Sequence, residues 1–264
     1  MLTNQRTVRQ MFSHLKPMHR LLILTLAVLS ASASAQNLNS SQEILSAMHD
    51  RYAKNWYRTL TFTQESVTHK PDRSSSSEIW HEALSVPGRL RIDFGDPAGG
   101  NGALFVSDHQ YVYKNGKLAS DKPRIHPLLV LGFDVYAQPV EKTIQQLKGL
   151  KIDLASTHEE PWKGRTMLVV GAKQGDLSSP QFWIDKERLY FVRLRQPDEH
   201  NPNATEEIDF DNYRQVEDGG WVAEHVAVYS DDKLVFEEKY SDVRINPPLE
   251  DKLFDLAKFS TRQE

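Results

Sequence analysis

The sequence predicts an α+β protein, mainly antiparallel β, in which one N-terminal helix precedes about ten strands. Three observations support this prediction: helical spacing of apolar residues after residue 40, alternation of apolar and polar residues from residue 59 onward, and short turn-forming breaks between the alternating segments. Strands do not alternate with long helices, and no repeat of roughly 20 to 50 residues is visible, which disfavours a parallel sheet and a solenoid. We therefore expect a single domain over residues 36–264.

Residues 1–35 have the pattern of a secretory signal peptide. Four basic residues precede the apolar run Leu21–Leu29, and the small-residue site Ala33–Ala35 follows it. The run is too short to span a bilayer core of about 30 Å as a helix, which disfavours a membrane anchor or a buried first helix. We expect export to the periplasm with cleavage just before Gln36, and either Met1 or Met18 as the start.

Composition restricts both the chemistry and the partners. Cysteine is absent from all 264 positions, which excludes disulfides, thiolate zinc sites and a cysteine nucleophile. A bacterial lipoprotein needs a cysteine directly after the cleavage site, where this chain has Gln36, so we expect a soluble protein without a membrane anchor. Without the four basic residues of the leader, 28 Lys and Arg face 36 Asp and Glu, a net charge of −8. This charge disfavours nucleic acid as a partner.

The first element is an amphipathic helix. Ser40 or Ser41 can cap its N-terminus, and the apolar residues that follow recur at spacings of three and four. They form one stripe, which must lie against another element: Ile44, Leu45, Met48, Tyr52 and Trp56.

The segments that follow alternate with a period of two, as half-buried antiparallel strands do. Apolar positions at this period include Leu60 and Phe62, then Leu90, Ile92 and Phe94, and later Val226 and Val228. Consecutive segments are separated by turn-forming pairs such as Asn115-Gly116, Lys163-Gly164 and Asp231-Asp232. The pattern predicts a meander of hairpins.

One segment, between Pro123 and Pro139, interrupts the strand pattern. Five of the six residues in Leu128–Phe133 are large and apolar, which indicates that this connection covers other apolar residues. A short helix is predicted next, over Val140–Leu147. We predict a helical lid packed over one face of the sheet; the alternative is a permanent core plug with no ligand beneath it.

Short motifs along the chain resemble those of one protein family. They are Thr61–Gln64, Trp80, Pro87–Phe94, Leu104–Asp108, Tyr111–Tyr113, Tyr240–Leu249 and Leu253–Phe254. In this order, after an amphipathic helix and over about residues 41–259, they resemble the LolA and LolB-like superfamily of outer-membrane lipoprotein-sorting proteins. The resemblance implies a strongly curved, incomplete β-barrel, whose concave apolar face is covered by helices and holds the acyl chains of a lipidated client.

The same resemblance implies a carrier that takes lipoprotein or lipid cargo from an inner-membrane donor and passes it to an outer-membrane acceptor, without a cofactor. Alternation and position select the apolar residues that would line its cavity and lid. They are Trp80, Leu90, Ile92, Phe94, Leu104 and Val106 on the strands, and Leu128, Leu129, Leu131 and Phe133 on the lid. Arg91 is the candidate for a contact with a lipid head group or with the lid.

Signatures of catalysis and metal binding are missing from the sequence. It has no G-x-S-x-G elbow, no phosphate-binding loop and no G-x-G-x-x-G motif, and His81-Glu82 does not begin an H-E-x-x-H motif because position 85 is Ser. We therefore expect no enzyme, no cofactor and no metal site. Two other functions remain open: a lipid-sensing domain that binds a protein partner, and a purely structural module with a filled core.

Overall fold

The computed structural model describes residues 38–199, 201, 203–217 and 219–261, so the predicted leader, residues 1–35, lies outside the described residues. Three α-helices are described: α1 (Ser41–Tyr52), α2 (Pro127–Gly132) and α3 (Val140–Gly149). None of the helices in these ranges is long and apolar enough to cross a membrane. Short 3₁₀ turns cover Pro97–Gly99, Asp134–Tyr136, Asp251–Phe254 and Leu256–Thr261.

The described strands number thirteen and form one antiparallel sheet. They are β1 (Thr59–His69), β2 (Ser75–Ser85), β3 (Arg89–Phe94), β4 (Gly102–Val106), β5 (His109–Lys114), β6 (Lys117–Pro123), β7 (Asp153–Trp162), β8 (Arg165–Gly171), β9 (Gln181–Asp185), β10 (Phe191–Pro197), β11 (Thr205–Gln215), β12 (Trp221–Ser230) and β13 (Lys233–Ile245). Their order in the sheet is β6-β5-β4-β3-β2-β1-β13-β12-β11-β10-β9-β8-β7. In the described ranges β6 and β7 pair on one side only, so the sheet is not closed into a barrel.

This architecture confirms the predicted fold class, a mainly antiparallel open sheet with an N-terminal helix and a helical segment after β6. The number of strands is thirteen rather than about ten. Strand β6 is exposed along its whole length, and so are the first five residues of β2, three serines followed by Glu78 and Ile79. Residues exposed on both faces carry no apolar alternation, so the sequence pattern does not distinguish such strands from loops.

Tight turns join many of the neighbouring strands. In the pairs Asn115-Gly116, Lys163-Gly164 and Asp231-Asp232, both residues have positive φ, between 45° and 75°. Two consecutive residues with positive φ are typical of type I′ turns, whose twist matches that of the flanking strands. The hairpins predicted from these pairs are therefore present.

Helix α1 begins with a capping box. The Ser40 hydroxyl accepts a hydrogen bond from the Glu43 N–H (3.3 Å), and the Glu43 carboxylate accepts one from the Ser40 N–H (3.0 Å). The helix buries the predicted stripe from Ile44 to Tyr52 and ends there, but Trp56 beyond its end is also buried.

Opposite faces of the sheet carry two separate apolar clusters. We call the face that bears Leu60, Phe62 and Leu90 the inner face; it carries the main core, to which α1, α2 and α3 also contribute. The other side, the outer face, carries a small cluster under the C-terminal 3₁₀ turns: Leu104, Tyr113, Phe254 and Phe259. A ligand enclosed by the fold would therefore lie on the inner face.

Candidate functional site

A small cavity lies between the inner face and α2. Its volume is about 140 Å³. One wall is formed by β1, β2, β3, β11 and β13, and the other by α2 and the residues next to it. The lining residues are Phe62, Trp80, Glu82, Leu84, Leu90, Ile92, His126, Leu128, Leu129, Phe133, Phe210, Glu238 and Tyr240.

The size of this cavity limits what it can hold in this structure. Pockets for drug-sized ligands have volumes of roughly 300–1,000 Å³, whereas an apolar cavity of about 150 Å³ binds benzene. A volume of about 140 Å³ therefore admits a short piece of hydrocarbon and not a complete acyl chain. A longer guest must displace side chains of the covering segment.

The covering segment after β6 has two parts that differ in burial. Leu131, Val135 and Tyr136 are each at most 1% exposed and belong to the main core. Leu128 and Phe133 are half-buried and line the cavity. We call Leu131 with Asp134, Val135 and Tyr136, all nearly fully buried, the anchored part, and Leu128 with Phe133 the exchangeable part. The segment thus combines features of the predicted lid with features of the alternative core plug.

Hydrogen bonds hold the anchored part against the sheet. Asp134 Oδ1 accepts a hydrogen bond from the backbone N–H of Gly88, in the turn between β2 and β3 (2.9 Å). The Tyr136 hydroxyl oxygen accepts one from the backbone N–H of Phe191 at the start of β10 (2.9 Å). Displacing this part would break both bonds, so we expect a guest to move the exchangeable part alone.

Asp134 is an acidic group inside the fold. It is 1% exposed, and its second oxygen, Oδ2, has no hydrogen-bond partner among the described residues. Burial raises its pKa from the ordinary 3.8 to about 7; the Gly88 N–H opposes this shift, and Asp108 adds to it. Asp134 therefore changes its charge near neutral pH.

Four titratable side chains interrupt the apolar lining of the cavity: Glu82, His126, Glu238 and Tyr240. Burial raises the pKa of Glu238 to about 7 and raises that of Glu82 well above its usual range, where the Glu238 charge adds to the effect. Burial, assisted by Arg124, lowers the pKa of His126 to about 4, so this residue is neutral at pH 7. His126 caps α2, and its Nδ1 accepts a hydrogen bond from the Leu129 N–H (3.2 Å).

The structure brings six of the ten apolar residues predicted for the site to the cavity wall. They are Trp80, Leu90, Ile92, Leu128, Leu129 and Phe133. Phe94 packs beside the wall on Trp80, with ring centroids 4.7 Å apart. Leu131 is fully buried in the anchored part and does not reach the cavity lining.

Leu104 and Val106, also predicted for the cavity, lie on the outer-face positions of β4. In the register Leu104 is opposite Arg91, and Val106 is opposite Arg89. Phe105 occupies the inner position between them and belongs to the main core. Because β4 is apolar at every position from 103 to 106, alternation alone does not decide which set faces inward.

Arg91 lies away from the cavity, on the outer face. Its side chain is 1% exposed and forms an ion pair with Asp93 (Nη2 to Oδ1, 2.8 Å). It also donates a hydrogen bond to the backbone carbonyl of Phe259 (2.9 Å), and its guanidinium carbon lies 4.2 Å from the centroid of the Phe259 ring. Arg91 therefore fastens the C-terminal turn to the sheet.

Replacing Phe259 with Ala should destabilise the protein without altering the binding of dodecanol in the cavity, because Phe259 lies on the outer face. The ring is 1% exposed and stacks on Tyr113, with centroids 4.1 Å apart, so its loss should cost about 3 kcal/mol of unfolding free energy. Urea unfolding measures this cost, and calorimetric titration with dodecanol measures binding. A loss of binding in a folded variant would contradict the separation of the two faces.

The cavity carboxyls Glu82 and Glu238 were not predicted, although the sequence contains a signal for them. Both occur at period two between apolar neighbours, in Trp80-His81-Glu82-Ala83-Leu84 and Phe236-Glu237-Glu238-Lys239-Tyr240. Residues two apart on a strand share a face, so this pattern places a carboxyl group on an apolar face. A charged residue in such a position is a candidate functional group.

Comparison with known proteins gives matches among solved structures, whereas no protein-family model and no curated protein matches this sequence. A domain from Vibrio parahaemolyticus described as an outer membrane lipoprotein-sorting protein has a TM-score of 0.58 and 18% identity, over 83% of this chain and 97% of that one. A DUF1329 family protein from Desulfovibrio piger ATCC 29098 has a TM-score of 0.56 and 15% identity, over 83% and 97%. A LolA superfamily protein from Nitrosomonas europaea has a TM-score of 0.50 and 13% identity, over 81% and 97%. The chain therefore has the fold of the LolA superfamily, as its sequence motifs predict.

Proposed function

We propose that this protein is a soluble periplasmic carrier that holds acyl chains of lipoproteins, or another lipid cargo, beneath α2 and hands them on toward the outer membrane. The observation that supports this function best is the largely apolar cavity under a segment whose exchangeable part, Leu128 and Phe133, is half-buried. The fold shared with the sorting-protein domain from Vibrio parahaemolyticus agrees with it. The proposed role is non-catalytic.

Burial of hydrocarbon supplies enough free energy for such a carrier. Each methylene gains about 0.8 kcal/mol on leaving water, so a chain of about twelve methylenes gains up to roughly 10 kcal/mol. No specific contact is required for this gain. The cavity of about 140 Å³ is too small for such a chain. Displacing the exchangeable part to make room costs free energy, which lowers the net gain from hydrocarbon burial.

Competition between cargo and protein makes release feasible. In the closed form the side chains of Leu128 and Phe133 occupy space that a guest would take. The empty protein is stabilised by these contacts, which lowers the net affinity for cargo below the value that hydrocarbon burial alone would give. An acceptor protein then needs to supply only this lowered free energy of binding to remove the cargo.

The proposed cellular setting follows from the predicted leader. Cleavage near Gln36 would leave the carrier free in the periplasm, between an inner-membrane donor and an outer-membrane acceptor. Mass spectrometry of lipids that copurify with the protein from periplasmic extract would identify the cargo class.

Replacing Leu128 with Asp should weaken the binding of dodecanol at least about tenfold. The change removes an apolar contact of the cavity wall, worth about 1.5–3 kcal/mol when fully buried, and adds a carboxylate that must lose water when a guest enters. Isothermal titration calorimetry measures the affinity, and thermal unfolding verifies that the variant is folded. Leu128 is only half-buried, so we expect the fold to persist.

The same substitution at Leu177 is the matched control. Leu177 is 51% exposed and lies in the connection between β8 and β9, so Leu177→Asp should bind dodecanol like the unchanged protein. Equal affinities of the two folded variants would exclude α2 as the cover of a lipid site.

A further inference from the structure

Two carboxyl groups in the cavity are not explained by the storage of hydrocarbon. Glu82 of β2 and Glu238 of β13 both line it, and an acyl chain offers neither of them a partner. Both residues are half-buried, and withdrawing a carboxylate from water with few partners costs stability, whereas apolar residues of similar size would hold a chain better. Their presence indicates that the guest has a polar group as well as a chain.

The carboxyl groups have unused capacity to accept hydrogen bonds. The side chain of Glu82 has no hydrogen bond or ion pair among the described residues. Glu238 accepts a hydrogen bond from the Tyr240 hydroxyl (2.5 Å), and the Gln64 side chain also interacts with it. An ionised carboxylate offers about four acceptor positions, so most positions of this pair are free for a guest.

A third acceptor, Gln64, lies next to them on the inner face, behind the residues that line the cavity. Gln64 of β1 is opposite Trp80 on one side and Tyr240 on the other, and both of these residues line the cavity. Its side chain is fully buried, and its Nε2 donates to the Ser66 hydroxyl (2.8 Å). The carbonyl oxygen Oε1 has no partner in the part of the chain that the structure describes. Gln64 also lies within hydrogen-bonding reach of Glu238.

Aromatic rings surround these three acceptors. Trp80 lies 4.7 Å from Phe94 and 5.9 Å from Phe236 between ring centroids, and Phe62 stacks on Tyr240 at 4.2 Å. The faces of aromatic rings carry partial negative charge and attract cations. The hydrogen-bond acceptors and the aromatic rings therefore both favour a guest with a positive charge.

The protein itself supplies no countercharge at this place. Among the described lining residues there is no lysine or arginine, and His126 is neutral at pH 7. A positive charge that balances the carboxylates would have to come from the guest.

We propose that Glu82, Glu238 and Gln64 form a binding site for the ammonium group of an amphiphile whose aliphatic chain occupies the apolar part of the cavity. The inference rests on the proposed carrier function and names its cargo class, a lipid with an amine head group. A primary ammonium has three N–H donors, which are directed to the two carboxylates and the free amide oxygen. Binding also releases protons, because the carboxyl groups are partly protonated in the empty cavity and ionise beside a cation.

Calorimetric titration at pH 7.5 with dodecylamine, dodecanol and laurate tests this site. The unchanged protein should bind dodecylamine at least about tenfold more tightly than dodecanol, and laurate most weakly, because charge-assisted hydrogen bonds favour the ammonium and like charge disfavours the carboxylate. In the variant Glu82→Gln/Glu238→Gln, dodecanol binding should persist while the preference for the amine disappears. The heat of dodecylamine binding should also depend on the ionisation enthalpy of the buffer in the unchanged protein, and not in the double variant.

Glu237→Gln is the control for this experiment. Glu237 is adjacent to Glu238 but on the opposite face of β13, where it accepts hydrogen bonds from His69 (2.7 Å) and His225 (3.2 Å). This variant should keep the preference for the amine. Equal binding of the three amphiphiles, or an unchanged preference in the double variant, would overturn the ammonium site and leave the carrier function standing. Failure of the unchanged protein to bind any of the three would overturn both.

Discussion

Replacing Tyr136 with Ala should lower the free energy of unfolding by about 5 kcal/mol. The ring is 1% exposed, stacks on Trp56 with centroids 3.8 Å apart and meets Tyr52 edge-on at 5.4 Å. Losing a buried aromatic ring costs about 3–5 kcal/mol, and the N–H of Phe191, left without its acceptor, adds about 1–3 kcal/mol. Urea unfolding followed by circular dichroism measures the loss. In Tyr136→Phe only the hydrogen-bond part of it should remain.

Phe133→Ala, three residues earlier, should behave differently. Phe133 is half-buried, so we expect a loss of only about 1 kcal/mol. Dodecanol should bind this variant more tightly than the unchanged protein, because the empty form loses a side chain that competes with the guest. Similar losses of stability in Phe133→Ala and Tyr136→Ala would contradict the division into an anchored and an exchangeable part.

Replacing Asp134 with Asn should stabilise the protein at pH 8 by up to about 4 kcal/mol and change little at pH 4. Burial raises the pKa of Asp134 from 3.8 to about 7, so the folded state holds its proton over a range in which the unfolded state has lost it. The stability that the protonated group provides is complete below pH 4, falls as the pH rises and is gone above pH 7. A pKa difference of this size corresponds to about 4 kcal/mol. Asn keeps an acceptor for the Gly88 N–H and carries no charge.

The measurement is the difference in unfolding free energy between Asp134→Asn and the unchanged protein at pH 4, 6 and 8. Burial also raises the pKa values of Glu82 and Glu238, but these residues are present in both proteins and their contribution cancels in the difference. Asp251→Asn is the control, since Asp251 is 91% exposed and its removal should give a small difference at every pH. A difference for Asp134→Asn that does not grow with pH would show that Asp134 titrates normally.

The sequence predicts the elements whose burial is one-sided. Helix α1, the hairpins with paired positive-φ residues and the apolar segment after β6 each have a periodic or turn-specific pattern, and all are present. Strand β6 has none, because it is exposed on both faces, and it accounts for part of the difference between ten and thirteen strands.

The site is harder to predict because its composition depends on strand parity and on distant segments. Strand β3 has a polar residue at every second position, so alternation places Leu90 and Ile92 on one face. That face lines the cavity. Strand β4 is apolar on both sides, and Leu104 is buried in a cluster that includes Phe259, about 155 residues further along the chain. Arg91 is buried by the same C-terminal turn, a contact that no local pattern encodes.

The two edge strands of the open sheet influence whether this protein aggregates at high concentration. A strand with one free edge can recruit a strand from another molecule, which leads to filaments or aggregates. Here the outermost strands resist such growth: β6 carries Lys117, Lys122 and Pro123, and β7 carries Glu159 and Pro161. Lysine and glutamate side chains repel a second copy of the same edge, and proline lacks the N–H that edge pairing needs. The charged residues and prolines of its two edge strands thereby allow this sheet to stay open without polymerising through edge pairing.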